Sequence, residues 1–202
     1  MADPTFWSST ALEPKRAFRW TIEFHNDAGG ANSELGVVWF AKKVSLPSIT
    51  LGEVKHSFLD KTFYFPGRVE WNTVELTMVD PVSPDAVDIT LNMFEDAGYH
   101  MMSKADDSHA TISKANSVSK GLGTVFITAI DHEGVKLEQW ELKNAWPKSV
   151  KFGEFSYDSD ELREITLEMR YDWAQCTIHD GGTPKAPYFK AGTPDGGPLR
   201  KS

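Results

Sequence analysis

The residue types that most often carry chemistry are present in this sequence, but they do not form a catalytic or metal-binding motif. No G-x-S-x-G nucleophile elbow and no P-loop lysine occur. Gly121-Leu122-Gly123 lacks a third glycine and precedes a strand-like segment, which is the wrong context for a dinucleotide site. The six histidines lack the H-E-x-x-H spacing that places two metal ligands on one helical face: His25, His56, His100, His109, His132 and His179. We therefore predict that the protein is not an enzyme and uses no cofactor.

Two weaker candidates for chemistry remain. Asp158 and Asp160 stand at alternate positions, with Glu161 next to them, as carboxylates do in a calcium loop. The loop glycine and the distal glutamate are missing, which favours a solvated turn before a strand. Cys176 is the only cysteine, so an intramolecular disulfide and a multi-cysteine zinc site are excluded. A cysteine near the end of a strand more often packs as a small apolar side chain than acts as a nucleophile. We predict no metal site.

The composition is that of a folded domain with an acidic balance. The chain has 202 residues, 40% of them hydrophobic and 25% charged, and its formal net charge is -8. This charge argues against tight binding to a phosphate backbone over a broad surface. The mean hydropathy is -0.38, and no apolar run is long enough to span a bilayer, so we expect no membrane anchoring.

Alternation with a period of two dominates the sequence and predicts half-buried antiparallel strands. In residues 163–173, for example, Ile165, Leu167 and Met169 share one face, opposite Glu164 and Glu168. A short loop at 131–134 ends in a glycine and predicts a hairpin. The remaining predicted strands are 17–24, 37–44, 70–79, 124–130 and 135–142.

One helix is predicted to interrupt the strands. Ser83 is the expected cap, with Pro84 in the first turn and Gly98 at the left-handed end. Val87, Leu91 and Phe94 recur at helical spacing and predict its buried face. The fold class is therefore mainly β: an antiparallel β-sandwich or partly closed barrel with one flanking α-helix.

The segment 52–71 is unusually aromatic, carries basic residues at intervals, and contains a turn signal at Pro66-Gly67. It is either a hairpin folded back onto its own core or an extended arm that docks on another subunit. Aromatic side chains supply large contact areas at low entropic cost, which suits an interface. The residues expected at this contact are Phe58, Phe63, Tyr64, Phe65 and Arg68.

Two motifs stand out in this order of segments: Leu-Lys-Asn-Ala-Trp-Pro-Lys at 142–148 and Arg-Tyr-Asp-Trp-Ala at 170–174. Together with these motifs, the order of segments over roughly residues 15–176 resembles the major tail tube proteins of contractile-tailed bacteriophages, which are related to the tubes of contractile injection systems. This resemblance implies a β-sandwich protomer that forms hexameric rings, which stack into a hollow tube.

The resemblance also implies partners and a location. A sheath protein would surround the tube, a baseplate and a tail terminator would lie at its ends, and the tape measure protein and genomic DNA would occupy the lumen transiently. The protein would belong to the virion, after assembly in the host cytoplasm. We divide the chain into an N-terminal arm (1–14), a tail-tube-like domain (15–180) with an exposed insertion (103–120), and a flexible, basic Gly/Pro-rich tail (181–202).

An acid-rich lumen would let DNA slide, because it does not neutralise phosphates. The candidate lining residues lie on two strand faces: Thr73, Glu75 and Thr77 on one, and Glu164, Glu168 and Asp172 on the other. The alternative for either face is a solvated outer surface or a subunit contact.

Two other functions fit the sequence. A baseplate tube initiator, or the tube of a non-phage injection system, would share the fold and the rings. A monomeric carbohydrate-binding β-sandwich would instead expose Trp39, Trp71 or Trp146 for stacking on sugars.

Overall fold

The computed structural model describes residues 14–25, 40–83, 85–99, 111–158 and 160–189. The helices are α1 (Ala86–Asp96) and α2 (Lys114–Asn116), and α2 continues into a π-helical turn (Ser117–Gly121). The strands are β1 (Trp20–His25), β2 (Ala41–Val44), β3 (Ile49–Phe58), β4 (Lys61–Trp71), β5 (Val74–Val79), β6 (Gly123–Ile130), β7 (Lys136–Lys151), β8 (Glu164–Arg170), β9 (Trp173–Asp180) and β10 (Thr183–Pro184).

The strands pair in the order β1-β6-β7-β8-β5-β2, and every pair is antiparallel. The first half of β7 also pairs with β9, which pairs with β10, whereas β3 and β4 form a separate two-stranded sheet. The described residues are 53% strand and 13% helix, and the sheets do not close. The predicted mainly β, antiparallel fold with a flanking helix is confirmed.

A single core joins the two halves of the sheet. The alternating apolar residues of β5 and β8 are buried, as predicted, and pack in one cluster with β1, β6, β7 and α1. Burying a side chain of this size contributes ~1.5–3 kcal/mol. The fully buried members include Ile22, Val74, Leu76, Val125, Leu142, Ile165 and Met169.

Strand β7 belongs to both halves of the sheet because it bends at Asn144. Lys143 pairs with Trp173 of β9, and Trp146 pairs with Arg170 of β8. Strand β7 and the segment that joins β8 to β9 therefore change direction at the same place. Asn144 has a φ of 56°, a left-handed conformation that asparagine tolerates better than most residues. Its Nδ2 donates a hydrogen bond to Oδ2 of Asp172 at 2.8 Å. We call these paired bends the corner.

Two predicted strand boundaries are wrong. The segment 70–79 is not one strand, because Asn72 ends β4 by donating its backbone N–H to the carbonyl of Ser48 at 2.9 Å. The predicted strand 135–142 is too short, because β7 continues to Lys151 through Pro147. The proline lies at a bulge, where a strand tolerates the missing N–H.

The N-terminal cap and the buried face of α1 also differ from the prediction. Asp85, not Ser83, caps the helix by accepting the backbone N–H groups of Val87 (2.8 Å) and Asp88 (3.3 Å), and Pro84 lies outside the described residues. The left-handed Gly98 after the helix is confirmed, with a φ of 104°. Leu91 is exposed, and the buried positions are instead Ala86, Thr90, Met93 and Ala97. Ala86 and Met93 are the buried residues of this helix that join the core cluster of the sheet.

The insertion and the tail are only partly described. Residues 103–110 and 190–202 lie outside the described residues. Ser117, within the predicted exposed insertion, is buried. Residues 181–189 lie along β9, where the backbone N–H of Tyr188 donates to the carbonyl of Cys176 at 2.7 Å.

The geometry of the corner predicts how substitutions of Asn144 change the free energy of unfolding. Asn144→Ala removes the hydrogen bond to Asp172, worth ~1 kcal/mol, and replaces asparagine with a residue that tolerates the left-handed region less well, where a side chain costs ~1–2 kcal/mol. Asn144→Gly removes the hydrogen bond but tolerates the backbone. We therefore expect a loss of unfolding free energy that is larger for Ala than for Gly, measured by urea denaturation. Equal losses would contradict the role of the backbone conformation.

Candidate functional site

Strands β3 and β4 form a long exposed hairpin, which we call the hairpin. The pairing runs from Ile49 opposite Trp71 at the root to Phe58 opposite Lys61 at the tip. All of β3 is exposed, as is β4 apart from Gly67 and Trp71. At ~3.3 Å per residue, the ten residues of β3 extend over ~33 Å.

The hairpin gathers all the arm residues that the sequence predicts. Phe63 lies opposite His56, and Phe65 lies opposite Val54, so these aromatics share one face of the outer half. Contiguous exposed apolar surface of this kind is uncommon on monomers and marks interaction surfaces. The predicted arm residues Phe58, Phe63, Tyr64, Phe65 and Arg68 are all exposed.

The predicted turn at Pro66-Gly67 is wrong. The chain reverses at Leu59-Asp60, and Pro66 and Gly67 lie inside β4, where the register with β3 shifts. Here the two backbones approach closely: a Cβ on Gly67 would lie 2.9 Å from the carbonyl carbon and oxygen of Gly52. Glycine is needed at this position for the close approach rather than for a turn.

Leu59 at the tip is strained and exposed. Its φ is 53°, and 88% of its surface is accessible. A non-glycine residue in this conformation costs ~1–2 kcal/mol, and glycine is favoured in such two-residue turns. The stability of the isolated hairpin therefore does not explain a leucine at this position.

The root of the hairpin is anchored to the sandwich. The Trp71 ring lies 6.0 Å from the ring of Tyr171 and 5.7 Å from that of Phe189, the latter edge-on. Burial raises the pKa of Tyr171 to about 12. Trp71 and Trp146 are both half-buried, and Trp39 lies outside the described residues. Neither Trp71 nor Trp146 therefore has the fully exposed ring that a sugar-binding protein would use for stacking.

Five of the six predicted lining residues lie on one outward face of β5 and β8, which we call the β5/β8 face. Glu75 is directly opposite Glu168, and both alternate with buried neighbours. Asp172 lies apart from this face, at the corner. The five that lie together are Thr73, Glu75, Thr77, Glu164 and Glu168.

Glu168 is held by three donors. Lys148 Nζ lies 2.7 Å from Oε1 and Ser149 Oγ lies 3.0 Å from Oε2, because a bulge in β7 places both residues opposite Glu168. The ammonium of Lys148 and the hydroxyls of Thr73 and Ser149 lower the pKa of Glu168 to about 2.

The other carboxylates of β8 and the corner are also paired. Glu164 accepts a hydrogen bond from Lys42, whose pKa it raises, and Asp172 accepts one from Lys114 at 2.6 Å. Among the described residues, Glu75 has no ion-pair partner. The β5/β8 face is therefore a set of ion pairs with one unpaired carboxylate, and not the uniformly acidic surface that the strand sequences alone indicate.

An apolar cavity of about 340 Å³ opens between β1, β6 and β7 and the segment that joins β2 to β3. Lys15 hydrogen-bonds Glu138 at its rim. Burial opposes ionisation of Glu138, but hydrogen bonds from Lys15 and Trp140 outweigh it and lower its pKa. Sequence analysis missed this cavity because its walls come from separate segments. It is lined by Lys15, Arg16, Ala17, Arg19, Trp20, Val44, Leu46, Ile127, Ala129, Glu138 and Trp140.

The described residues contain no group of three or more His, Cys, Asp or Glu side chains placed to hold a metal ion. Cys176 is buried, and burial raises the pKa of its thiol. A thiol in this state is a poor nucleophile. In the same part of the chain, no helix combines the length and apolar character needed to cross a membrane.

The pairing of Glu168 predicts a pH dependence. Its pKa is lowered on folding, so it stabilises the protein above the unfolded value of 4.5, and this contribution is lost as pH falls towards about 2. We expect Glu168→Gln to lower the Tm at pH 7, with the difference from the unmodified protein vanishing near pH 2. Thermal denaturation followed by circular dichroism measures it. Glu75→Gln is the matched control, and an equal, pH-independent effect of both variants would contradict the assignment.

Comparison with solved structures supports the fold on which these surfaces lie. The sequence matches no protein-family model and no curated protein. The tube-terminating cap of the anti-feeding prophage is 16% identical, with a TM-score of 0.58, over 89% of this chain and 100% of that chain.

Two further structures agree to the same extent. A chain of the PVC sheath–tube complex, from an extracellular contractile injection system in its extended state, is 14% identical, with a TM-score of 0.58, over 88% of this chain and 100% of that chain. A chain of the anti-feeding prophage baseplate is 15% identical, with a TM-score of 0.58, over 82% of this chain and 96% of that chain. The chain therefore has a tail-tube-like fold, shared with proteins of contractile injection systems.

Proposed function

We propose that this protein is the structural subunit of a phage tail tube, in which hexameric rings stack inside a contractile sheath and conduct DNA into the host cell. The observation that carries the proposal is the hairpin, which extends from the sandwich with its aromatic residues exposed. A projecting surface that contacts a different surface of the next copy generates open, repeating assemblies.

The sheet edges supply the lateral contacts of a ring. Among the described strands, β1 pairs only with β6, and β2 pairs only with β5, so each has an edge of unpaired backbone groups. Such edges invite pairing with another chain unless they are covered. A ring of copies that join edge to edge leaves no edge free.

We propose that the β5/β8 face lines the lumen. Two of the lysines at this face, Lys148 and Lys42, are engaged by Glu168 and Glu164, which limits their ability to neutralise phosphates. DNA that releases no counterions on contact is not retained. Glu75 adds an unpaired negative charge per subunit that repels the passing strand.

The proposed partners follow from this arrangement. The sheath protein lies outside, the baseplate and the tail terminator bind the ends, and the tape measure protein and then DNA occupy the lumen. The proposed role is structural and requires neither a cofactor nor a catalytic reaction. It is part of the virion and assembles in the host cytoplasm.

A second candidate is a subunit of a non-phage injection system, either of its tube or of the region near its ends. The observation that favours it is that the similar solved chains come from a cap, a baseplate and a sheath–tube complex of such systems. Purified particles distinguish the two functions: a tail carries a DNA-filled head, whereas an injection device does not. The number of copies per particle separates a tube subunit from a baseplate initiator.

The first prediction of this proposal concerns the effect of hairpin substitutions on assembly. The unmodified protein forms rings or tubes at high concentration, whereas Phe63→Ser with Phe65→Ser blocks elongation. Each buried aromatic contributes ~1.5–3 kcal/mol at every ring junction. Light scattering after size-exclusion chromatography and negative-stain images measure assembly, and far-ultraviolet circular dichroism checks that the fold is retained.

The matched control for this variant is Leu91→Ser, which changes an exposed apolar residue on α1, away from the hairpin. It is expected to assemble normally. Tubes of normal length from the double hairpin variant would show that the aromatic face is not an interface. A protein that stays monomeric at every concentration would overturn the tube proposal itself.

The second prediction concerns the effect of the charge at position 75 on DNA ejection. Glu75→Lys places a cation on the β5/β8 face without breaking a described ion pair, so tubes are expected to form normally. Repetition around and along the tube turns this lysine into rings of cations that hold phosphates, so DNA ejection slows. The delay shrinks as salt rises, because screening limits the field to ~8 Å at physiological ionic strength.

Ejection is followed with a DNA-binding dye in particles that carry the variant tube. Glu75→Gln is the comparison, and because it removes the repelling charge without adding a cation, its delay is expected to be smaller than that of Glu75→Lys. Unchanged ejection by Glu75→Lys at low salt, with intact tubes, would place this face outside the lumen.

A further inference from the structure

The tip of the hairpin and the cavity beside its root are complementary surfaces on one chain. We propose that the tip of each copy docks into the cavity of the next copy along the tube, with Leu59 in the apolar interior and Asp60 at the basic rim. This inference rests on the proposed function, because it specifies the contact that joins successive rings.

The cavity has an apolar interior and a cationic rim. Trp20, Val44 and Leu46 contribute to its walls, and its volume of about 340 Å³ accommodates a leucine side chain together with part of a second apolar residue. At the rim, Lys15 pairs with Glu138, and Arg16 is a cation with no ion-pair partner among the described residues. A fitting occupant therefore has an apolar side chain followed by an acidic one.

The tip of the hairpin has this chemistry. Leu59 and Asp60 form the turn, and Phe58 flanks it with 63% of its surface exposed. Leu59 is held in a left-handed conformation that glycine adopts more easily, so the strain is explained if the side chain is needed for a contact. Asp60 lies in the turn itself, with Lys61 directly after it in β4, so the negative charge of the tip is the single carboxylate next to Leu59.

The geometry makes the contact intermolecular. Leu46 lines the cavity, and β3 begins only three residues later at Ile49, so the cavity lies beside the root of the hairpin. The tip is a whole strand length away, ~33 Å, and cannot fold back into the cavity of its own chain while β3 and β4 remain paired. A tip in the cavity of the next copy repeats without closure, and the length of the hairpin sets the spacing.

A charge exchange tests the pairing. In the full chain, Asp60→Arg and Arg16→Asp are each expected to abolish tubes at concentrations at which the unmodified protein assembles, because each places like charges together. The variant that combines both substitutions is expected to recover tubes. Asp158→Arg, a reversal of the same size at an exposed turn outside the hairpin, is the control and assembles normally.

A second variant separates docking from folding. Leu59→Gly relieves the left-handed strain, so its Tm is expected to equal or exceed that of the unmodified protein while tubes are lost. A purely structural role for Leu59 would instead leave assembly intact. Normal tubes from Leu59→Gly, or a combined charge variant that fails to recover, would overturn the proposed pairing.

A crosslink identifies the two surfaces directly. In a Cys176→Ser background, Leu59→Cys protein is mixed with Leu46→Cys protein and oxidised. Disulfide-linked pairs of one copy of each are expected on a non-reducing gel, and neither protein alone is expected to give them at the same yield. Their absence in tubes, as when residues 1–13 fill the cavity instead, overturns this inference while the tube proposal stands. If the unmodified protein never assembles, both are overturned.

Discussion

The hydrogen bond from Asn144 to Asp172 fixes the bend on which the rest of the structure depends. Because β7 and the β8–β9 segment turn at the same point, one continuous set of strands folds over itself and encloses a single core. The hairpin leaves from β2 and returns to β5, both in the half of the sheet beyond this bend. The root of the hairpin packs against this corner, where the Trp71 ring lies 6.0 Å from the ring of Tyr171, so the corner sets the direction of the hairpin.

The parts of the fold that depend on local periodicity could be predicted from the sequence. β5 and β8 alternate strictly, so their buried and outward faces follow from the order of residues alone. The corner could not be predicted, because asparagine and proline, which stand at positions 144 and 147, usually interrupt a strand. They are tolerated because Asp172 of the neighbouring segment accepts a hydrogen bond from Asn144, and because a bulge in β7 accommodates Pro147. The two motifs that carry the family resemblance pair with each other at this corner.

The candidate site was predictable in its residues but not in its geometry. The aromatic composition of 52–71 marks the arm, yet Pro66-Gly67 is a stronger turn signal than Leu59-Asp60, which misplaces the tip. The acidic residues of β8 are equally visible, whereas their lysine partners come from other segments. Cross-strand partners and cavities depend on tertiary pairing, so a single strand does not reveal them.

The hairpin leaves the sandwich from a single site, and this gives the molecule a direction. In any stack of copies joined through it, one terminal layer presents free hairpins and the opposite layer presents only unoccupied sandwich surface. Such a filament is polar, so subunits add to its two ends at different rates. A protein that stops growth then needs to recognise only one of the two ends, and it tells them apart by shape alone.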